Sequence, residues 1–160
     1  MSNKLYFAYG SNMNLNQMAF RCPDAEVIES VQAEGYRLAF RASGVATILP
    51  EKGSRVEGVL WRISADNEQS LDKYESYPQY YGKEEIEVRL SDGRQISAVV
   101  YCMNYPYAAY PAMPPRGYLE GILEGCVQNR IDTEGVRAAV ERTRQELLHC
   151  RKFPERGEER

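Results

Sequence analysis

Two features of this 160-residue chain carry groups able to do polar chemistry: the tripeptide Gly10-Ser11-Asn12 and, about 60 residues further on, Glu75. Gly-Ser-Asn directly behind the apolar run Leu5 to Tyr9 favours a tight turn. Such a turn either redirects the chain and nothing more, or gathers backbone N–H groups around one point where a carboxylate or a developing oxyanion can bind. Glu75 follows Leu71 at i+4 on a predicted amphipathic helix, so it projects toward the apolar face, while Asp72 and Lys73 point elsewhere. On that face desolvation lifts a carboxyl pKa from about 4.3 toward the range useful for proton transfer. The alternative is a solvated glutamate at a helix end.

Other chemistries lose their residues. The one histidine, His149, falls near the end of the last predicted helix, where a cation complements the helix dipole. Ser-His-Asp and Cys-His arrangements therefore drop out, and Ser11 is not expected to be a nucleophile. Cys22, Cys102, Cys126 and Cys150 are scattered without a C-x-x-C pair, so we expect reduced thiols and no metal site. No cofactor is implied. A net charge of −3 from interspersed acids and bases offers no basic stripe, which argues against nucleic acid as partner. The N-terminal residues form neither a secretory core nor a membrane span, and a cytoplasmic location without membrane attachment is expected.

The length fits one domain, placed at residues 1–150, with a charged tail over 151–160. A strand over Leu5 to Tyr9 puts Leu5, Phe7 and Tyr9 on one side and Tyr6 and Ala8 on the other. Asn14 caps a short helix to about Cys22. Ala25 to Phe40 reads as two strands or one bent strand, and Val45 to Leu49 and Arg55 to Ile63 as two more, separated by a turn at Pro50 to Ser54. Ser64 caps the helix that leads to Glu75. Ile86, Val88 and Leu90 alternate with charged residues, and Asp92-Gly93 turns this strand into Gln95 to Met103. Asn104 to Pro115, with four prolines and three tyrosines, predicts a semi-rigid loop without regular structure. Helices over Arg116 to Asn129 and from Asp132 onward follow, the last with an apolar stripe of Val136, Ala139, Val140, Leu147 and Leu148. Gly121 and Gly125 would permit close packing of the first of these. This order predicts an α+β fold, a curled mixed sheet flanked by helices.

Taken together, Tyr9-Gly10-Ser11-Asn12, the later Leu71-Asp72-x-x-Glu75 and a tyrosine-rich strand behind it resemble the γ-glutamylcyclotransferase-like family. The resemblance runs from about Leu5 to Ile131 and includes Pro115-Arg116-Gly117-Tyr118, which opens a helix. It implies a small mixed β-barrel flanked by helices, with a pocket at its mouth. It also implies that Tyr9, Gly10, Ser11, Asn12, Met13 and Asn14 hold the glutamyl part of a small-molecule substrate, that Glu75 is the general acid/base, and that Tyr118 contacts substrate. Tyr81 is a further pocket candidate among the many tyrosines of this region. The implied reaction is cyclisation of a γ-glutamyl group to 5-oxoproline with release of a free amine or amino acid. A member of another class, a binding module that keeps the pocket without the chemistry, would carry the same motifs.

One departure from the family pattern bears on the site. Ser76 stands where glycine usually follows the glutamate, and a position that needs φ > 0 would strain a serine. Glutathione-specific relatives carry leucine where this loop has Asn12, so glutathione specificity is not expected.

Overall fold

The computed structural model describes residues 3–152. Five strands form a closed barrel in the order β1-β3-β2-β4-β5, where β1 is Lys4–Ala8, β2 Glu26–Arg41, β3 Val45–Ile63, β4 Tyr81–Arg89 and β5 Gln95–Met103. Neighbours are antiparallel except at the closure, where β1 runs parallel to β5 with Tyr6 opposite Val99. The expected mixed sheet is therefore present and closed, an α+β architecture with helices α1 (Leu15–Arg21), α2 (Ala65–Tyr74), α3 (Arg116–Gln128) and α4 (Glu134–Lys152) around it. The tail over 153–160 lies outside the described residues.

Of the two readings open for Ala25 to Phe40, the structure takes the single bent strand, kinked where Gly35 (φ +88°) interrupts the ladder. Other elements differ from the reading of the sequence. β3 is continuous from Val45 to Ile63, so Pro50 to Ser54 does not end a strand. Glu34 pairs with Arg55 and Tyr36 with Pro50, which leaves residues 51–54 as an outward excursion opposite Gly35. Turn-forming residues here produced a bulge because the ladder is intact on both sides of them. The loop from Asn104 to Pro115 contains one 3-10 turn, Tyr107–Ala109, since proline excludes long helices but not a single turn. It is fastened to the end of β2 and the turn after it by Ala112 N–H to Phe40 O at 3.2 Å and Ala42 N–H to Tyr110 O at 2.7 Å.

Local signals explain the helix boundaries. Asn14 Oδ1 accepts from the N–H groups of Asn16 and Gln17, and Ser64 forms a capping box with Asn67. On α4 the buried face holds Val136, Ala139 and Thr143, with Leu147 half-buried; Leu148, expected in the stripe, is exposed because it lies one residue, about 100°, beyond it. Buried Arg41 binds Glu146 of α4 at 3.0 and 3.2 Å and also donates to Ala108 O, which ties helix, barrel and loop together.

Candidate active site

β1 ends at Ala8, and the chain leaves the barrel through Tyr9 and Gly10 into a 3-10 turn over Ser11–Met13. The turn closes through Met13 N–H to Gly10 O at 3.0 Å. The amides of Ser11 and Asn12 open it, and amides at a helix start have no intrahelical acceptor. Alternation along β1 breaks at this exit, so Tyr6 and Tyr9, expected on opposite sides, both line one cavity. Gly10 lies close to β3: a Cβ there would stand 3.2 Å from the Ala46 Cβ, a tight contact.

That cavity, about 190 Å³, brings the two chemical features together: Gly10, Ser11, Asn12 and Glu75 all line it, as do Tyr81 and Tyr118. Met13 and Asn14 do not line it. Met13 is core, and Asn14, besides capping α1, donates through Nδ2 to Gly121 O at 2.9 Å and to Glu124 Oε1 at 2.8 Å of α3. His149 lies in the closing turns of α4 and does not line the cavity that holds Ser11.

Asn12 is fixed on three sides by three elements. Its Nδ2 donates to Tyr6 Oη at 2.9 Å, its backbone carbonyl accepts from Trp61 Nε1 at 3.0 Å, and its Oδ1 accepts from Arg21. Arg21 also lies 3.4 Å from Ser11 Oγ, and its guanidinium carbon stacks 3.7 Å from the centre of the Tyr74 ring. Tyr6, Trp61 and Arg21 were not singled out in the sequence. Arg21 carried only the signal of a basic residue in a helix's last turn, which is common and points to no site.

Glu75 is the C-cap of α2, one turn beyond the fully buried Leu71. It is half-buried: water reaches it through the cavity, yet enough protein surrounds the carboxyl that desolvation pushes its pKa up to about 7, against an opposing pull from Arg21. No hydrogen bond to the carboxylate contributes among the described residues, so its oxygens are open to a ligand. Ser76 has φ +52°. Ser76 N–H bonds Lys73 O at 3.2 Å and Tyr77 N–H bonds Asp72 O at 2.9 Å. This is the hydrogen-bond pattern of a Schellman cap, whose C′ position favours glycine. Both bonds form with serine in place, so the carboxyl still reaches the cavity and the cost appears as backbone strain.

Five of the tyrosines in the wall are held neutral by burial. Burial raises Tyr6 and Tyr9 well above the usual phenol range, and it raises Tyr81, Tyr101 and Tyr118 as well. Tyr9 donates to Tyr101 O at 2.6 Å, and Tyr101 donates to Asp72 Oδ1 at 2.6 Å.

A family model described as "Gamma-glutamyl cyclotransferase, AIG2-like" matches residues 6–120, which include every part of this site. The chain belongs to that family. Its relatives include the bovine and human proteins named Gamma-glutamylcyclotransferase, each 30% identical over 142 residues that cover 81% of this chain and 73% of theirs. A solved structure named Gamma-glutamyl cyclotransferase superposes with a TM-score of 0.75 at 28% identity, covering 89% of this chain and 87% of that one. In this family member the Glu75 carboxyl, its pKa raised by burial, lines the same cavity as the Gly10 to Asn12 turn. Among the described residues no group of three His, Cys, Asp or Glu side chains could hold a metal ion, and no helix is long and apolar enough to cross a membrane.

Proposed function

We propose that this chain is a γ-glutamylcyclotransferase-type enzyme that cyclises the γ-glutamyl group of a small γ-glutamyl amine or amino acid to 5-oxoproline. The observation that carries the reading is the open, half-buried Glu75 carboxyl in the same cavity as Ser11 and Asn12. The substrate's α-amine must lose a proton to attack its own γ-carbonyl. Glu75 takes that proton as the C–N bond of the five-membered lactam forms. It then gives the proton to the departing nitrogen as the γ-amide bond breaks, leaving Glu75 ionised as it began. A group with a pKa near ambient pH serves both steps, and no protein nucleophile is needed.

Folding the substrate so that amine and carbonyl meet makes the attack unimolecular; orientation of this kind supplies up to about 7–11 kcal/mol. The amides of the Gly10 to Asn12 turn supply donors for the α-carboxylate or the oxyanion. Tyr118 contributes a further donor, since its hydroxyl accepts from Ala46 N–H and so keeps its own proton for a ligand. The cavity suits a small molecule, and the net charge of −3 supports no nucleic-acid role. All four cysteines are unpaired thiols, which supports work in the cytoplasm.

The test is incubation of the purified protein with a panel of γ-glutamyl amines and amino acids, following 5-oxoproline. Release from at least one member is the expected result. Saturable binding across the panel without release would replace this reading with that of a binding module.

A further inference from the structure

Arg21 ends α1 and stands behind the cavity wall, in contact with both halves of the site. One terminal nitrogen donates to Asn12 Oδ1 and lies 3.4 Å from Ser11 Oγ, while the face of the same guanidinium covers the Tyr74 ring at 3.7 Å. Tyr74 closes the triangle with its hydroxyl 3.1 Å from Ser11 Oγ, and it is the residue immediately before Glu75. A guanidinium can do this because its edge is a fork of donors and its face is a flat, weakly hydrated plane that stacks on aromatics. A basic residue at a helix end ordinarily answers that helix's own carbonyls. The hydrogen bonds of Arg21 go instead to the turn before α1, and its stack goes to α2.

We propose that Arg21 is a positioning residue that clamps the Gly10 to Asn12 turn to the end of α2, and so holds the amide donors and Glu75 in one geometry. The inference rests on the functional reading above and extends it to a residue outside the cavity. Arg21 has an electrostatic share as well. The titratable groups around Glu75 are Tyr6 from β1, Tyr9 just beyond that strand, Tyr74 next to Glu75 on α2, Tyr80 just before β4 and Tyr81 at its start, Tyr101 from β5, Tyr118 from α3 and Arg21 from α1. Among these the charge that bears on Glu75 is that of Arg21, and it favours the carboxylate.

The experiment compares wild type, Arg21→Met and Arg21→Lys in kcat, KM and the pH profile of kcat/KM, alongside thermal unfolding. The substrate is whichever γ-glutamyl compound of the panel the wild type turns over best. Arg21→Met is expected to lose about 10- to 100-fold in kcat, the scale of a misplaced reacting group. Its acid limb should move to higher pH. Arg21→Lys restores the charge but not the fork and the stack together, so its acid limb should return to the wild-type position while most of the kcat loss remains.

Wild-type kcat in either variant would overturn the clamp, as would Arg21→Met activity that falls only in parallel with Tm while its acid limb stays fixed. If Arg21→Met does not fold, Arg21→Lys alone carries the test. A wild type that releases no 5-oxoproline from any substrate rejects the functional reading instead. The clamp is then decided by NMR titration of the Glu75 carboxyl carbon in the ligand-free proteins: a higher pKa in Arg21→Met supports it, and an unchanged pKa overturns it.

Discussion

Tyr81 and Tyr118 grip opposite ends of one residue: the Tyr81 hydroxyl donates to Ala46 O at 2.6 Å, and the Tyr118 hydroxyl accepts from Ala46 N–H at 2.9 Å. The two phenols are thus inequivalent although both line the cavity. Tyr81 has spent its proton on the protein. Tyr118 has not, and keeps an O–H with which to donate to a ligand.

Tyr118→Phe should therefore raise KM or lower kcat, because a donor to substrate is lost, and should also strand the Ala46 amide at a cost of about 1–3 kcal/mol. Tyr81→Phe should cost stability without a comparable change in kcat/KM. Steady-state kinetics with thermal unfolding on both variants checks the contrast, and equal kinetic losses in the two would refute it.

Glu75→Gln should keep the fold and ligand binding while turnover falls by about 10²–10⁴-fold, the usual contribution of a general acid/base. In the wild type the base form is required in the free enzyme, so kcat/KM should decline below about pH 7, where Glu75 takes up its proton. Near-normal turnover in Glu75→Gln would remove Glu75 from the mechanism.

The same titration has a stability consequence of known sign. The folded-state pKa of Glu75, about 7, is raised above the ordinary glutamate value of 4.5. Between these values the native state holds a proton that the unfolded state has released, so stability falls as pH rises through this window. Glu75→Gln abolishes that dependence. Its Tm relative to wild type should be higher at pH 8 than at pH 4.5, and a difference independent of pH would contradict the assignment.

Ser76→Gly relieves a serine held at φ +52° in a Schellman cap. Stabilisation of about 1 kcal/mol is expected, left-handed strain outweighing the greater unfolded-state freedom of glycine. For a chain of this size that is a rise in Tm of about 2–4 °C. A lower Tm would show that serine is held there by something other than the backbone.

Gly125 packs α3 against the turn: a Cβ there would lie 2.8 Å from Asn14 N and 2.9 Å from Met13 C. Both are backbone atoms and cannot swing aside. Gly125→Ala should destabilise by about 1–3 kcal/mol through overpacking and should impair turnover by displacing the turn. Wild-type kinetics with unchanged unfolding would show the interface to be more compliant than the geometry implies.

Much of this protein was decided locally and could be read from its residues. Gly10-Ser11-Asn12 after an apolar strand, the caps Asn14 and Ser64, the Asp92-Gly93 turn and the i+4 step from Leu71 to Glu75 all express preferences of a few neighbouring residues, and the structure carries each of them. Gly121 and Gly125 are close-packed as their small size allowed. What required the tertiary structure is of another kind. The excursion at residues 51–54 depends on the Glu34–Arg55 and Tyr36–Pro50 pairings on either side, which no local turn propensity contains. The parallel contact of β1 with β5 closes the barrel across more than ninety positions of sequence, where Tyr6 meets Val99. That closure, together with the exit of the chain at Ala8, places both Tyr6 and Tyr9 in the cavity. Asn14 was drawn to α3 through Gly121 and Glu124 rather than to the cavity, and Arg21 became part of the site only when α1 and α2 packed together. Residue types set which groups could transfer a proton or donate an amide, since those are properties of single side chains and short turns. Which of those groups face one another is set by long-range packing, which short-range spacing does not encode.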